Sequence, residues 1–142
     1  SALQIAQAYS VFANQGNFIE LNLFKENSFA EPLNERVINV ETNQKIVDML
    51  VRTVNSEGGT ASKAKLTKWV VAGKTGTAKE TMETETTYTA TFAGFAPHDS
   101  PEFLAVIVLH GLSGDDYSGG KVSAPLFSRI MEQIFLLRDL EI

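Results

Sequence analysis

The sequence contains no cysteine, which removes disulfides, thiolate metal sites and cysteine nucleophiles together. It also lacks a long apolar run. Val70-Val71-Ala72 and Phe103 to Leu109 are the longest, far short of the roughly 20 residues a membrane-spanning helix needs. Basic excess is missing too: 12 Lys and Arg stand against 17 Asp and Glu, for a net charge of -5 and a pI near 5.0. Scattered cations in an acidic chain exclude a nucleic-acid partner, because phosphate neutralisation needs Lys and Arg gathered on one face. His98 and His110 are the only histidines, and neither has a second ligand at metal-site spacing; no metal and no cofactor is expected. Asp115-Asp116 sits among Gly and Ser and offers too few oxygens for calcium.

What remains is enough for one core, since 142 residues suit a single domain or a part of one. The chain opens directly in a helical pattern, with neither an initiator Met nor a leader, and is expected to be cut from something longer. Ile5, Ala8, Tyr9, Phe12 and Ala13 recur at helical spacing and Gly16 follows where a left-handed cap belongs, which predicts a helix over 3–14. Asn17 to Phe24 alternates like a short strand, broken at Glu31-Pro32. Asn39 to Thr42 offers caps before Ile46, Val47, Leu50, Val51 and Val54, a helical face that should end at Gly58-Gly59.

Beyond a lysine-rich connector, Trp69 to Ala72 reads as a strand running into Gly73-Lys74-Thr75-Gly76-Thr77-Ala78. Lys79 to Thr87 is polar and is expected to be an exposed loop. Tyr88 to Ala96 alternates as a strand stopped by Pro97, and Phe103 to Leu109 reads as a strand buried on both faces. The short link between them predicts antiparallel neighbours. After the Gly, Ser and Asp loop over 111–120, Ala124-Pro125 opens a helix with Leu126, Phe127, Ile130, Met131, Ile134 and Leu137 as its apolar stripe. The fold class is therefore α+β, an antiparallel sheet covered by helices that include a C-terminal one.

The chemistry-bearing residues are Lys74, Thr75, Gly76 and Thr77. Lys74 supplies positive potential, and the hydroxyls of Thr75 and Thr77 can donate to a carboxylate. Gly76 lets a peptide lie close and pair as an added strand, and the Thr77 N–H can then face the oxyanion of a tetrahedral intermediate. Gly73-Lys74-Thr75 is not a phosphate-binding loop, because the required upstream glycine position holds Lys68.

Lys-Thr-Gly is one of three elements shared by serine β-lactamases and penicillin-binding proteins, beside Ser-x-x-Lys and Ser-x-Asn. Its surroundings resemble the class B penicillin-binding proteins along essentially the whole chain. The matching stretches are Ser1 to Tyr9 with Ala13 to Gly16, Glu57 to Ala61, Val71 to Ala78, Tyr88 to Pro97, and Tyr117 to Phe127. The resemblance implies a β-lactamase/transpeptidase-like fold and a peptidoglycan D,D-transpeptidase. It places Lys74 and Thr77 in the catalytic machinery, with Thr77 lending its backbone to the oxyanion hole, and Lys74, Thr75, Gly76 and Thr77 against the substrate. It implies the D-Ala-D-Ala stem peptide and β-lactam antibiotics as partners, and a periplasmic position anchored to the inner membrane by a segment not in this chain. Serine β-lactamases and β-lactam sensors share the strand and stand as the alternative, as does a non-catalytic binding module.

The family's nucleophile is a Ser-x-x-Lys at a helix start upstream of this strand. Two such strings occur, Ser62 to Lys65 and Ser118 to Lys121, both in expected loops, and no Ser-x-Asn occurs at all. Residues 1–142 are thus expected to be the carboxy-terminal portion of one transpeptidase domain. The upstream half, as a second chain or a swapped copy, is expected to bring the nucleophile and to cover an open sheet edge.

Overall fold

A computed structural model of the protein describes residues 1–21, 34–82 and 85–140. The elements are α1 (Ala2–Ala13), β1 (Asn17–Ile19), β2 (Asn34–Arg36), α2 (Val40–Asn55), a short 3-10 turn (Ser62–Ala64), β3 (Ala72–Met82), β4 (Glu85–Ala96), β5 (Phe103–Leu112) and α3 (Ser123–Leu140). β3, β4 and β5 form an antiparallel sheet in that order, and β1 pairs with β2 in a small separate ribbon.

Helices cover both faces of the three-stranded sheet. Phe92 and Ala96 of β4 point to one side, where they join Ala124, Phe127, Met131 and Phe135 of α3 with Val54, Ala61, Ala64 and Val71. Phe95 and Ala72 point to the other, against Leu50, Ile46 and Val47 of α2 and Tyr9 and Phe12 of α1. Phe92, Phe95, Phe127, Phe135 and Met131 are fully buried, and each such side chain contributes about 1.5–3 kcal/mol relative to exposure. The antiparallel sheet, the covering helices and the C-terminal helix agree with the α+β expectation.

Local chemistry explains the helix ends. The Asn39 side chain accepts from the Thr42 N–H at 2.8 Å and caps α2, while Lys45 bonds Glu41 one turn away at 2.7 Å. α1 ends in two left-handed residues, Gln15 and Gly16. α2 stops at Asn55, capped by Ser56, three residues before the glycines.

Several expectations need correction. Trp69 to Val71 are not in the strand, which begins at Ala72. Trp69 instead stacks on Phe135 with ring centroids 3.9 Å apart, a packing that leaves the chain bent there. In the segment Lys79 to Thr87, Lys79 to Thr81 and Glu85 are exposed as expected, but the segment is no plain loop. Its described residues extend β3 to Met82 and begin β4 at Glu85, paired through Thr81 to Thr86, because β-branched threonines on both arms favour a pleated ladder. β5 is half-buried rather than buried, since it ends the described sheet with one side unpaired. On α3 the buried stripe is Ala124, Phe127, Met131 and Phe135, whereas Ile130 and Leu137 are exposed. The strand expected over Asn17 to Phe24 appears as β1 up to Ile19; its last residues and the break at Glu31-Pro32 lie outside the described residues.

Candidate functional site

Backbone alternation decides which groups of β3 face outward. The Gly73 carbonyl is taken by a side chain of α2 rather than by β4, so even-numbered residues of β3 turn their backbone groups to β4. The odd-numbered ones turn away. Val71 O accepts from Asn55 Nδ2 at 2.8 Å, Gly73 O from the Thr53 hydroxyl, and Thr75 O from the Lys74 ammonium at 3.1 Å. α2 therefore caps the first turnings of this edge, and beyond it the backbone groups of Thr75 and Thr77 lie along an edge that no strand among the described residues occupies.

Side-chain alternation sorts the rest. Thr75 and Thr77 point to the α3 face, Lys74 and Gly76 to the other, in an unbroken register that sets Lys74 opposite Ala93 and Thr77 opposite Ala90. Lys74 is exposed, and its ammonium also lies 3.5 Å from the Thr75 hydroxyl. All four expected site residues are thus adjacent on one exposed edge.

The loop before α3 completes the arrangement, and composition alone did not point to it. Gly119 is buried, and its N–H donates to the Thr77 hydroxyl oxygen at 3.1 Å. Its own carbonyl accepts from the N–H groups of Ser123 and Ala124, at 3.1 and 2.8 Å. The first turn of α3 thereby holds Gly119, and Gly119 holds Thr77. A hydroxyl that accepts from an amide keeps its own proton to donate, so this contact orients Thr77 as a donor. A Cβ at Gly119 would lie 2.4 Å from the Thr91 carbonyl oxygen and 2.7 Å from that of Gly76. Gly120 lies beside Thr75, where a Cβ would be 3.9 Å from its methyl. Next to this loop Tyr117 stacks on Tyr88 at 3.7 Å. Lys121 pairs with Asp116 at 3.0 Å, and that hydrogen bond, then the charge behind it, holds the Lys121 ammonium above its ordinary pKa.

The two Ser-x-x-Lys strings do not form a catalytic pair. Ser62 begins the 3-10 turn, and Lys65 is exposed, its carbonyl tied to α3 by the Ser128 hydroxyl at 2.7 Å. The Lys121 ammonium goes to Asp116 and to the Asp115 carbonyl rather than to Ser118. Among the described residues no three His, Asp or Glu side chains gather as a metal site, and no helix is long and apolar enough to cross a membrane.

Residues 1–132 match the family described as the penicillin-binding protein transpeptidase domain. The chain belongs to the class B penicillin-binding protein transpeptidases. It is 34% identical over 133 residues to the probable peptidoglycan D,D-transpeptidase PbpC of Pseudomonas aeruginosa, covering 90% of this chain and 23% of that protein. It is 30% identical over 134 residues to the probable peptidoglycan D,D-transpeptidase PenA of Neisseria flavescens, covering 92% of this chain and 33% of that protein. Among solved structures, the transpeptidase domain of Burkholderia pseudomallei penicillin-binding protein 3 superposes with a TM-score of 0.81 at 32% identity, over all of this chain and 43% of that one. The chain therefore spans about a quarter to a third of the length of these two curated relatives.

Proposed function

We propose that this chain supplies the substrate-binding strand of a peptidoglycan D,D-transpeptidase, as the carboxy-terminal portion of the transpeptidase domain. The serine nucleophile, its lysine and the Ser-x-Asn element come from sequence outside these 142 residues, so the isolated chain is inactive. The observation that carries this reading is the outward edge of β3, where Thr75 and Thr77 present backbone groups to no strand among the described residues while Gly119 presets the Thr77 hydroxyl.

The donor peptide adds to this edge as an antiparallel strand. Lys74 supplies positive potential, and the Thr75 and Thr77 hydroxyls donate to the carboxylate of the terminal D-alanine. The serine attacks the penultimate D-alanine carbonyl, and the developing oxyanion takes the Thr77 N–H, a contact whose loss typically costs about 2.7–4 kcal/mol of barrier. The C–N bond breaks, D-alanine leaves with a proton, and the acyl-serine is then attacked by an amine of a neighbouring peptide strand. β-Lactams acylate the same serine as mimics of the donor. The upstream half, as a second chain or a swapped copy, also covers the outer side of β5. The site works on the periplasmic face of the inner membrane, held there by an anchor outside this chain.

The test is penicillin acylation of the complete domain with Thr77→Ala. Slower acylation is expected, with a stability loss of about 1–3 kcal/mol because the buried Gly119 N–H loses its acceptor; an unchanged acylation rate in the folded variant would remove the hydroxyl from the site.

A further inference from the structure

We propose that Glu80 is a specificity-determining residue that reads a positive charge on the donor residue immediately preceding D-Ala-D-Ala. The inference rests on the transpeptidase reading above. The strand pairing that puts the attacked D-alanine carbonyl on the Thr77 N–H also puts that D-alanine opposite Thr77. The residue before it then stands opposite Ala78. Side chains directly opposite share a face of the sheet, so an L-configured residue there projects over the face that carries Lys74, Gly76, Ala78 and Glu80.

That face is open. Gly76 and Ala78 are exposed, and a Cβ at Gly76 would find only the Thr91 side chain, at 3.7 Å. The carboxylate of Glu80 stands at the far end of this shelf and is held in place: the Thr89 hydroxyl donates to it at 3.2 Å and lies 3.0 Å from His110 Nδ1. Since that hydroxyl gives its proton to Glu80, it accepts from His110, and the network fixes the carboxylate over β4. Gly111, left-handed at φ 69°, forms the bulge where β5 places two residues against Thr89, and so brings His110 there. Two strand spacings, about 10 Å, separate the donor backbone from β4. A long ammonium side chain on the donor crosses most of that distance toward the Glu80 carboxylate.

The reaction itself says what charge the donor carries. The acyl group passes to an amine on a neighbouring strand, and donor and acceptor strands are the same polymer. Each donor therefore bears such an amine, on a side chain that leaves the D-Ala-D-Ala end free. Lys74 and Glu80 are the two charged side chains on this face of β3, positive toward the peptide's carboxylate and negative toward its amine. The order of charges along the strand matches the order along the donor.

The experiment uses the complete domain and peptides ending in D-Ala-D-Ala whose preceding residue is lysine, N-acetyl-lysine or glutamate, read as kcat/KM for D-alanine release. An exposed pair of this kind predicts a preference for lysine over its acetylated form of about two- to fivefold, shrinking as salt is added. Glu80→Gln should abolish the preference, and Glu80→Lys should move it to the glutamate peptide. Penicillin acylation of the unsubstituted domain runs alongside. Normal acylation with no charge preference, or with the same preference in Glu80→Gln, overturns the role of Glu80 alone. Absent acylation overturns the transpeptidase reading beneath it.

Discussion

Two glycines on β3, three residues apart, answer to different constraints. A Cβ at Gly73 would lie 2.5 Å from the Phe92 ring and 2.8 Å from the Ala93 carbonyl oxygen, so the fold itself requires that glycine. Gly76 meets no such obstacle. Gly73→Ala should cost about 1–3 kcal/mol by overpacking, and Gly76→Ala should stay within about 0.5 kcal/mol while slowing acylation of the complete domain by penicillin. Thermal unfolding and acylation rates measured on both variants check the contrast; equal stability losses would contradict it. Gly119 combines both demands, and Gly119→Ala should lower acylation by displacing the loop from Thr77. Lys74, Thr75, Gly76 and Thr77 were legible in the sequence because their order is a motif. Gly119 was legible only as part of a matching loop, since no spacing rule links it to Thr77, 42 positions earlier.

At the scale of elements, the helices were read correctly where caps and apolar faces agreed. Asn39 before Val40 is such a case, and Asn39→Ala should destabilise the protein by about 1 kcal/mol, seen as a lower denaturant midpoint with unchanged m. The C-terminal stripe was misjudged because the last turns of α3 pack sideways. Phe135 stacks on Trp69 and meets Phe103 edge-on at 5.2 Å, Arg138 sits over both Trp69 and Phe135, and Arg138 bonds Glu102. Phe135→Ala should cost about 3–5 kcal/mol; a loss below 1 kcal/mol in chemical denaturation would contradict this packing. The β3–β4 extension escaped notice because polar alternation of Thr and Glu lacks the apolar face that marks a strand, and the two arms satisfy each other's backbone instead. Burial also raises the Tyr9 phenol above its ordinary pKa. The neutral form is thus favoured in the folded state, and stability held below the ordinary tyrosine range falls as pH rises through the folded value.

The whole molecule is a sheet with helices on both faces and two sides left without a strand among the described residues. One, along β3, has chemistry; the other, along β5, is apolar and half-buried, from Phe103 to Leu109. An edge of that kind demands cover. The layered class was legible from the order of elements, but the half-burial of β5 was not, because an apolar run reads the same whether its neighbours lie in the chain or outside it. The chain covers 43% of the solved transpeptidase domain it superposes on, and the nucleophile proposed above belongs to the remainder. Labelling with a fluorescent penicillin, of this chain alone and of this chain mixed with its upstream half, shows which part carries the nucleophile. Label should appear only in the mixture, attached to a serine of the upstream half. Label on this chain alone, or no label in the mixture, would contradict that placement of the nucleophile.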